Sequence, residues 1–152
     1  MRPFAFSVIR AILDANVLVS GMLGLRRTTS TPGTILYLWF KRSFELITSD
    51  PLITEVERSL SKPFFVGRID PSDLTLALAA LREDAIRTDI TTSVSSIATH
   101  PEDDLVLAAA ISAQAHFLVT GDSMLQRLEH YQSVQIISPR DFLTLLEQTH
   151  RT

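Results

Sequence analysis

The sequence predicts an α/β fold with parallel strands joined by crossover helices, and three observations predict it. Short apolar, β-branched stretches alternate with longer helical patterns along the whole chain. A helix-start signal, with Asp50 as cap and Pro51 in the first turn, follows a strand-like stretch and is repeated at Asp70-Pro71. The 152 residues, 45% of them hydrophobic, suffice for one domain over 1–152 with a core that needs no staples.

The first strand is expected over Val8 to Leu13, ending at Asp14 within "RAILDANVLVSGML", where a carboxylate interrupts an apolar run. An unpaired carboxylate buried there costs several kcal/mol, so Asp14 calls for a reason. "GLRRTTSTPG", Gly24 to Gly33, is expected as a polar loop at the carboxyl end of the sheet, where Arg26 and Arg27 would meet phosphate. "TPGTILYLWFKRSF" makes a helix with Pro32 near its start and Lys41 and Arg42 at its end.

"FELITS" is a second strand, followed by the helix "DPLITEVERSLSK"; "DPSDLTLALAALREDAI" is an amphipathic helix, with a short strand near Ile86 to Thr88. "PEDDLVLAAAISAQA" is apolar nearly all round after its acidic start, as a buried helix is. "HFLVTGD" and "VQIIS" are strands and "PRDFLTLLEQ" a closing helix.

The chain has no cysteine, which excludes disulfides, thiolate metal sites and cysteine nucleophiles. A net charge of -3 argues against coating nucleic acid with a broad basic face, but not against an enzyme that cuts it through clustered carboxylates. The basic start "MRPFAFSVIRAILD" is broken by Arg10 and Asp14 before it makes a signal peptide, and no run is long enough to span a bilayer, so a cytoplasmic chain without membrane contact is expected. Histidines 100, 116, 130 and 150 show no metal-binding pair spacing, and His116 reads as structural. A phosphate-binding glycine loop and a serine-nucleophile elbow are both missing from the sequence.

Asp14 and Asp122 follow strands, Glu55 lies early in a helix after a strand, and Asp103 or Asp104 opens the buried helix. In a parallel sheet such positions gather on one edge. Each alone is a turn or capping residue; together, carboxylates held close repel one another unless a cation lies between them. Oxygen ligands without cysteine or paired histidine select Mg²⁺ or Mn²⁺ over Zn²⁺, an ion suited to phosphodiester hydrolysis. Glu55 and Glu57 flank opposite borders of the Leu52, Val56, Leu60 stripe, so periodicity leaves both open.

"ILDANVLVSGML", "TSDPLITEVERSLSKPFF" and "HPEDDLVLAAAISAQAHFLVTGDSML" resemble, in order and spacing, the motif blocks of PIN-domain ribonucleases, particularly the VapC-like toxins of toxin–antitoxin systems. The resemblance covers nearly the whole chain. It implies a three-layer α/β/α fold with a central, mainly parallel sheet of about five strands. It carries the family's acidic quartet onto Asp14, Glu55, Asp103 and Asp122, as catalytic and metal-holding residues, with Asp104 in reserve. Asn16 and Thr120 would support them, and Ser123 would reach the metal through water. His100 departs from the family, which often has Asp before that proline.

The activity implied is Mg²⁺- or Mn²⁺-dependent endoribonucleolytic cleavage, by in-line attack of water, leaving a 5′-phosphate and a 3′-hydroxyl. The partners implied are RNA and a small antitoxin that inserts a side chain into the acidic site; the apolar content is compatible with that and with a homodimer. One alternative is a PIN-like scaffold that binds RNA or protein without cutting. Another is a phospho-acceptor receiver domain, disfavoured by a single Asp14 after the first strand and by "SPRD", without lysine, after the last.

Overall fold

In the computed structural model, residues 8–95, 97 and 101–149 are described. The element order among them is β1 (Arg10–Leu13), α1 (Ala15–Gly24), α2 (Thr31–Phe40), β2 (Glu45–Thr48), α3 (Asp50–Leu60), α4 (Pro71–Glu83), β3 (Ile86–Arg87), α5 (Pro101–Ser112), β4 (Phe117–Val119), α6 (Ser123–Gln126), β5 (His130–Tyr131), β6 (Val134–Ile137) and α7 (Pro139–Thr149). The strands form one six-stranded sheet in the order β3-β2-β1-β4-β6-β5. All neighbours are parallel except β5 and β6. The mainly parallel α/β sheet is the expected one, with β5 as an added antiparallel edge.

The central strands are apolar because both faces are covered. Ala11, Ile12 and Leu13 of β1 and Phe117, Leu118 and Val119 of β4 are all buried. Ile12 pairs with Ile47 on one side and Leu118 on the other, which fixes Asp14 and Thr120 side by side just past the carboxyl ends. Asp14 N extends that pairing by donating to Val119 O at 3.1 Å.

The expected place of the polar loop is corrected by the fold. The residues after Asp14 form a helix, α1, so "GLRRTTSTPG" comes after a helix and not after a strand. Ten residues of helix, about 15 Å, separate its arginines from the carboxyl end of β1. Its length also contracts: Gly24 ends α1 and Thr31 begins α2, so only residues 25–30 connect them. Ser30 caps α2 by accepting from Gly33 N at 3.0 Å. The two helices touch through glycine, since a Cβ on Gly24 would overlap the Ser30 side chain and one on Gly33 would overlap the Gly24 carbonyl.

Asp70 caps α4 as expected, whereas the cap of α3 is Ser49 and not Asp50, which lies inside the first turn. Ser49 caps α3 through Leu52 N, and Asp70 caps α4 through Ser72 N and Asp73 N, with a proline in the first turn of each. Among the described residues no helix is long and apolar enough to cross a membrane.

Candidate active site at the carboxyl edge of the sheet

Asp14 is the N-cap of α1 and only 6% exposed. Its Oδ1 accepts from Val17 N at 2.9 Å and its Oδ2 from the Thr120 hydroxyl. Burial pushes this carboxyl above its ordinary range; the bonds from Thr120 and Val17 oppose the shift, and the charge of Asp122 adds to it. The cap explains the aspartate in part, yet asparagine or serine would cap as well without a buried charge.

Thr120, fully buried after β4, joins two of the acids. Its hydroxyl donates to Asp14 and accepts from Asp122 N at 3.1 Å, while its carbonyl accepts from the Gln126 amide at 2.7 Å. Asp122 caps α6, its Oδ1 accepting from Met124 N at 2.8 Å and Leu125 N at 3.3 Å. Ser123 and Asn16 stand exposed at the starts of α6 and α1. Asp14 takes its hydrogen bonds from Thr120 and Val17, and Asn16 supplies none of them.

Glu55 is half-buried, and burial, then the charges of Glu102 and Asp14, push its carboxyl up, while Arg58 and Lys62 pull it down. Glu57 faces elsewhere, in an ion pair with Arg82 of α4. The borders of the helical stripe are thereby distinguished: Glu55 looks toward Asp14.

At the start of α5 the three acids diverge. Asp103 lines a cavity of about 220 Å³ with Asp122, Ile97 and Leu125. Asp104 is buried and accepts from Ile97 N at 3.2 Å, tying the segment before α5 to the helix. Glu102 shares a cavity of about 260 Å³ with Ser49, Glu55 and Arg58. Sequence reasoning treats Glu102 as a helix-start residue. Its spacing of four from buried Val106 is the available signal that it shares that inward stripe.

The acids thus meet in pairs, Glu55 with Glu102 and Asp103 with Asp122, and Asp14 feels both Glu55 and Asp122. Among the described residues no three Asp, Glu or His side chains are placed so as to enclose a metal ion. The donor set is nevertheless what a hard divalent cation takes, all carboxylate oxygen and mutually repelling without one.

The two arginines expected at phosphate part company. Arg26 is bound to α4, its Nε 2.7 Å and its Nη2 3.2 Å from the Asp73 carboxylate, with Asp70 at 3.6 Å. Arg27 is exposed in the same connection. His116 is structural: its Nδ1 accepts from Arg10 N at 2.9 Å, and its backbone continues the β1–β4 ladder. His130 lies in β5, whereas His100 and His150 fall outside the described residues.

Among curated proteins none matches the chain. Among solved structures the chain is similar in fold to PAE2754 from Pyrobaculum aerophilum, with 16% identity over 93% of this chain and 98% of that one and a TM-score of 0.50. The sequence pattern described as PIN domain matches residues 10–124, from β1 into α6 and across Asp14, Glu55, Asp103 and Asp122. With that match over most of its length, and this sheet carrying acids at its carboxyl edge, the chain belongs to the PIN domain family, whose members are generally nucleases.

Proposed function

We propose that the protein is a metal-dependent endoribonuclease whose site is built from Asp14, Glu55, Asp103 and Asp122. The observation that carries this reading is Asp14: a carboxylate buried at the strand end, braced by Thr120 and Val17, and repelled by Asp122. A fold tolerates such a charge where function needs it. Mg²⁺ or Mn²⁺ held by these oxygens would neutralise the scissile phosphate and lower the pKa of the attacking water.

The chain's own part is positional. Thr120 aims the Asp14 carboxylate by donating to Oδ2, a bond that opposes the upward push of burial. Asp122 is fixed through Oδ1 by the first amides of α6, and Oδ2 would be the oxygen offered to a ligand. Glu55 projects from α3 into the cavity it shares with Glu102 and Arg58. In this reading RNA is cut to a 5′-phosphate and a 3′-hydroxyl.

The biological setting we infer is a cytoplasmic toxin paired with a small antitoxin, acting as a homodimer. Exposed apolar side chains such as Leu76, Val66 and Met124 support a need for partners. The pairwise placement of the acids favours one alternative, a PIN scaffold that binds RNA without cutting. Cleavage of single-stranded RNA with Mn²⁺ or Mg²⁺ decides. Activity lost in EDTA, and reduced at least about a hundredfold in Asp14→Asn and Asp122→Asn, is expected; cleavage that survives these changes overturns the proposal.

A further inference from the structure

We propose that the exposed strip from Arg58 through Lys62 to Phe64 and Arg68 is the track along which single-stranded RNA leaves the acidic pocket, with Arg58 and Lys62 on successive phosphates and Phe64 under a base. This rests on the nuclease reading and adds the substrate's course across the surface.

The strip begins inside the pocket, since Arg58 lines the same cavity as Glu55 and Glu102, about one turn further along α3. Lys62 lies seven residues beyond Glu55. It lies just past the Ser61 cap, its N–H donating to Ser59 O at 3.1 Å. Both cations are near enough to Glu55 for their charges to draw its carboxyl down.

Arg26, Arg82 and Arg87 each pair with a carboxylate, whereas among the described residues Arg27, Lys41, Arg42, Arg127 and Arg140 pair with none but do not line the Glu55 cavity as Arg58 does. Among the described residues Arg58, Lys62 and Arg68 pair with none. Next in the strip, Phe64 is 54% exposed, with the Arg68 guanidinium 4.2 Å from its ring centroid and Phe65 against it edge-on at 4.9 Å. Unpaired cations interleaved with an exposed aromatic ring are what a single strand takes, phosphates on charge and bases on π-faces. In a chain of net charge -3 they form a local path, not a basic face. Arg58 also suits the end of the α3 dipole, but that accounts for neither the exposed Phe64 nor Arg68 beyond the helix.

The test is fluorescence anisotropy of the full chain with a short, end-labelled single-stranded RNA in EDTA, across a salt series, with melting temperature measured alongside. Arg58→Ala with Lys62→Ala is expected to weaken binding at least about tenfold and to lower the slope of log affinity against log salt by about 1.4, two phosphates at 0.7 each. Phe64→Ala is expected to weaken binding about fivefold or more with the slope unchanged, and Phe64→Trp to restore it. Wild-type binding with unchanged affinity and slope in the double variant overturns the track, as does a lower melting temperature with no change in binding. If the wild type binds no RNA in EDTA yet cleaves it with Mn²⁺ or Mg²⁺, the track falls and the nuclease reading stands. If binding behaves as expected but no divalent ion supports cleavage, the nuclease reading falls and the track stands.

Discussion

At the scale of single residues, the proposed role of Asp14 sets function against stability. Its carboxyl is held above its ordinary range chiefly by burial, so the folded, metal-free chain binds a proton there more readily than the unfolded chain does. Stability from this group is therefore present at acid pH and is lost as pH rises out of the ordinary carboxylate range and through the folded value. Asp14→Asn keeps a side-chain oxygen for Val17 N and removes the charge. In EDTA near neutral pH it is expected to melt at a higher temperature than the wild type, by an amount that shrinks on acidification, while losing cleavage. A wild-type chain that melts higher than the variant at neutral pH contradicts this account. Asp14 is legible in the sequence because an acid inside an apolar run demands an explanation. Glu102 is less so, because three successive acids at a helix start all satisfy the same dipole and only the packing of α5 directs them to three different surroundings.

At the scale of elements, α1 shows what a sequence conceals. Ala15, Val17, Leu18, Val19, Gly21, Met22 and Gly24 are all buried, so α1 has little polar face and no clear period of 3.6, and its valines favour strands. The elements α6 and β5, of four and two residues, are too short to carry a pattern, and β5 exists only through its pairing with β6. The long helices α3 and α7, with apolar stripes and acidic first turns, are plain in the sequence. Packing of α1 on α2 gives a sharp expectation. Gly24→Ala, which in an open helix would stabilise by up to about 1 kcal/mol, is expected here to destabilise by about 1–3 kcal/mol, because the new Cβ meets the side chain of Ser30. Chemical denaturation measures it, and an unchanged midpoint would mean that the helices separate at little cost.

On the scale of the whole molecule, β1 and β4 are joined through His116 as well as through their ladder. Burial and the Arg10 charge push this imidazole below its ordinary range, with Glu45 opposing in part. Neutral Nδ1 accepts the Arg10 amide proton; protonation turns it into a donor and breaks the bond. Here the unfolded chain binds the proton more readily, so this group's contribution is complete above the ordinary pKa of about 6.5 and is lost as pH falls from there toward the folded value. Thermal melting from about pH 7.5 to about pH 5.5 is expected to show a loss of stability that His116→Gln diminishes. An identical pH profile in the variant would remove His116 from the account.

The bond between Thr120 and Asp14 spans 106 positions of the chain. A polypeptide still being made has its first aspartate long before the hydroxyl that braces it or the carboxylate at Asp122 exists, and the strand that aligns them is added late. The pairing of Asp14 with Thr120 is therefore absent from every partial product that stops short of β4.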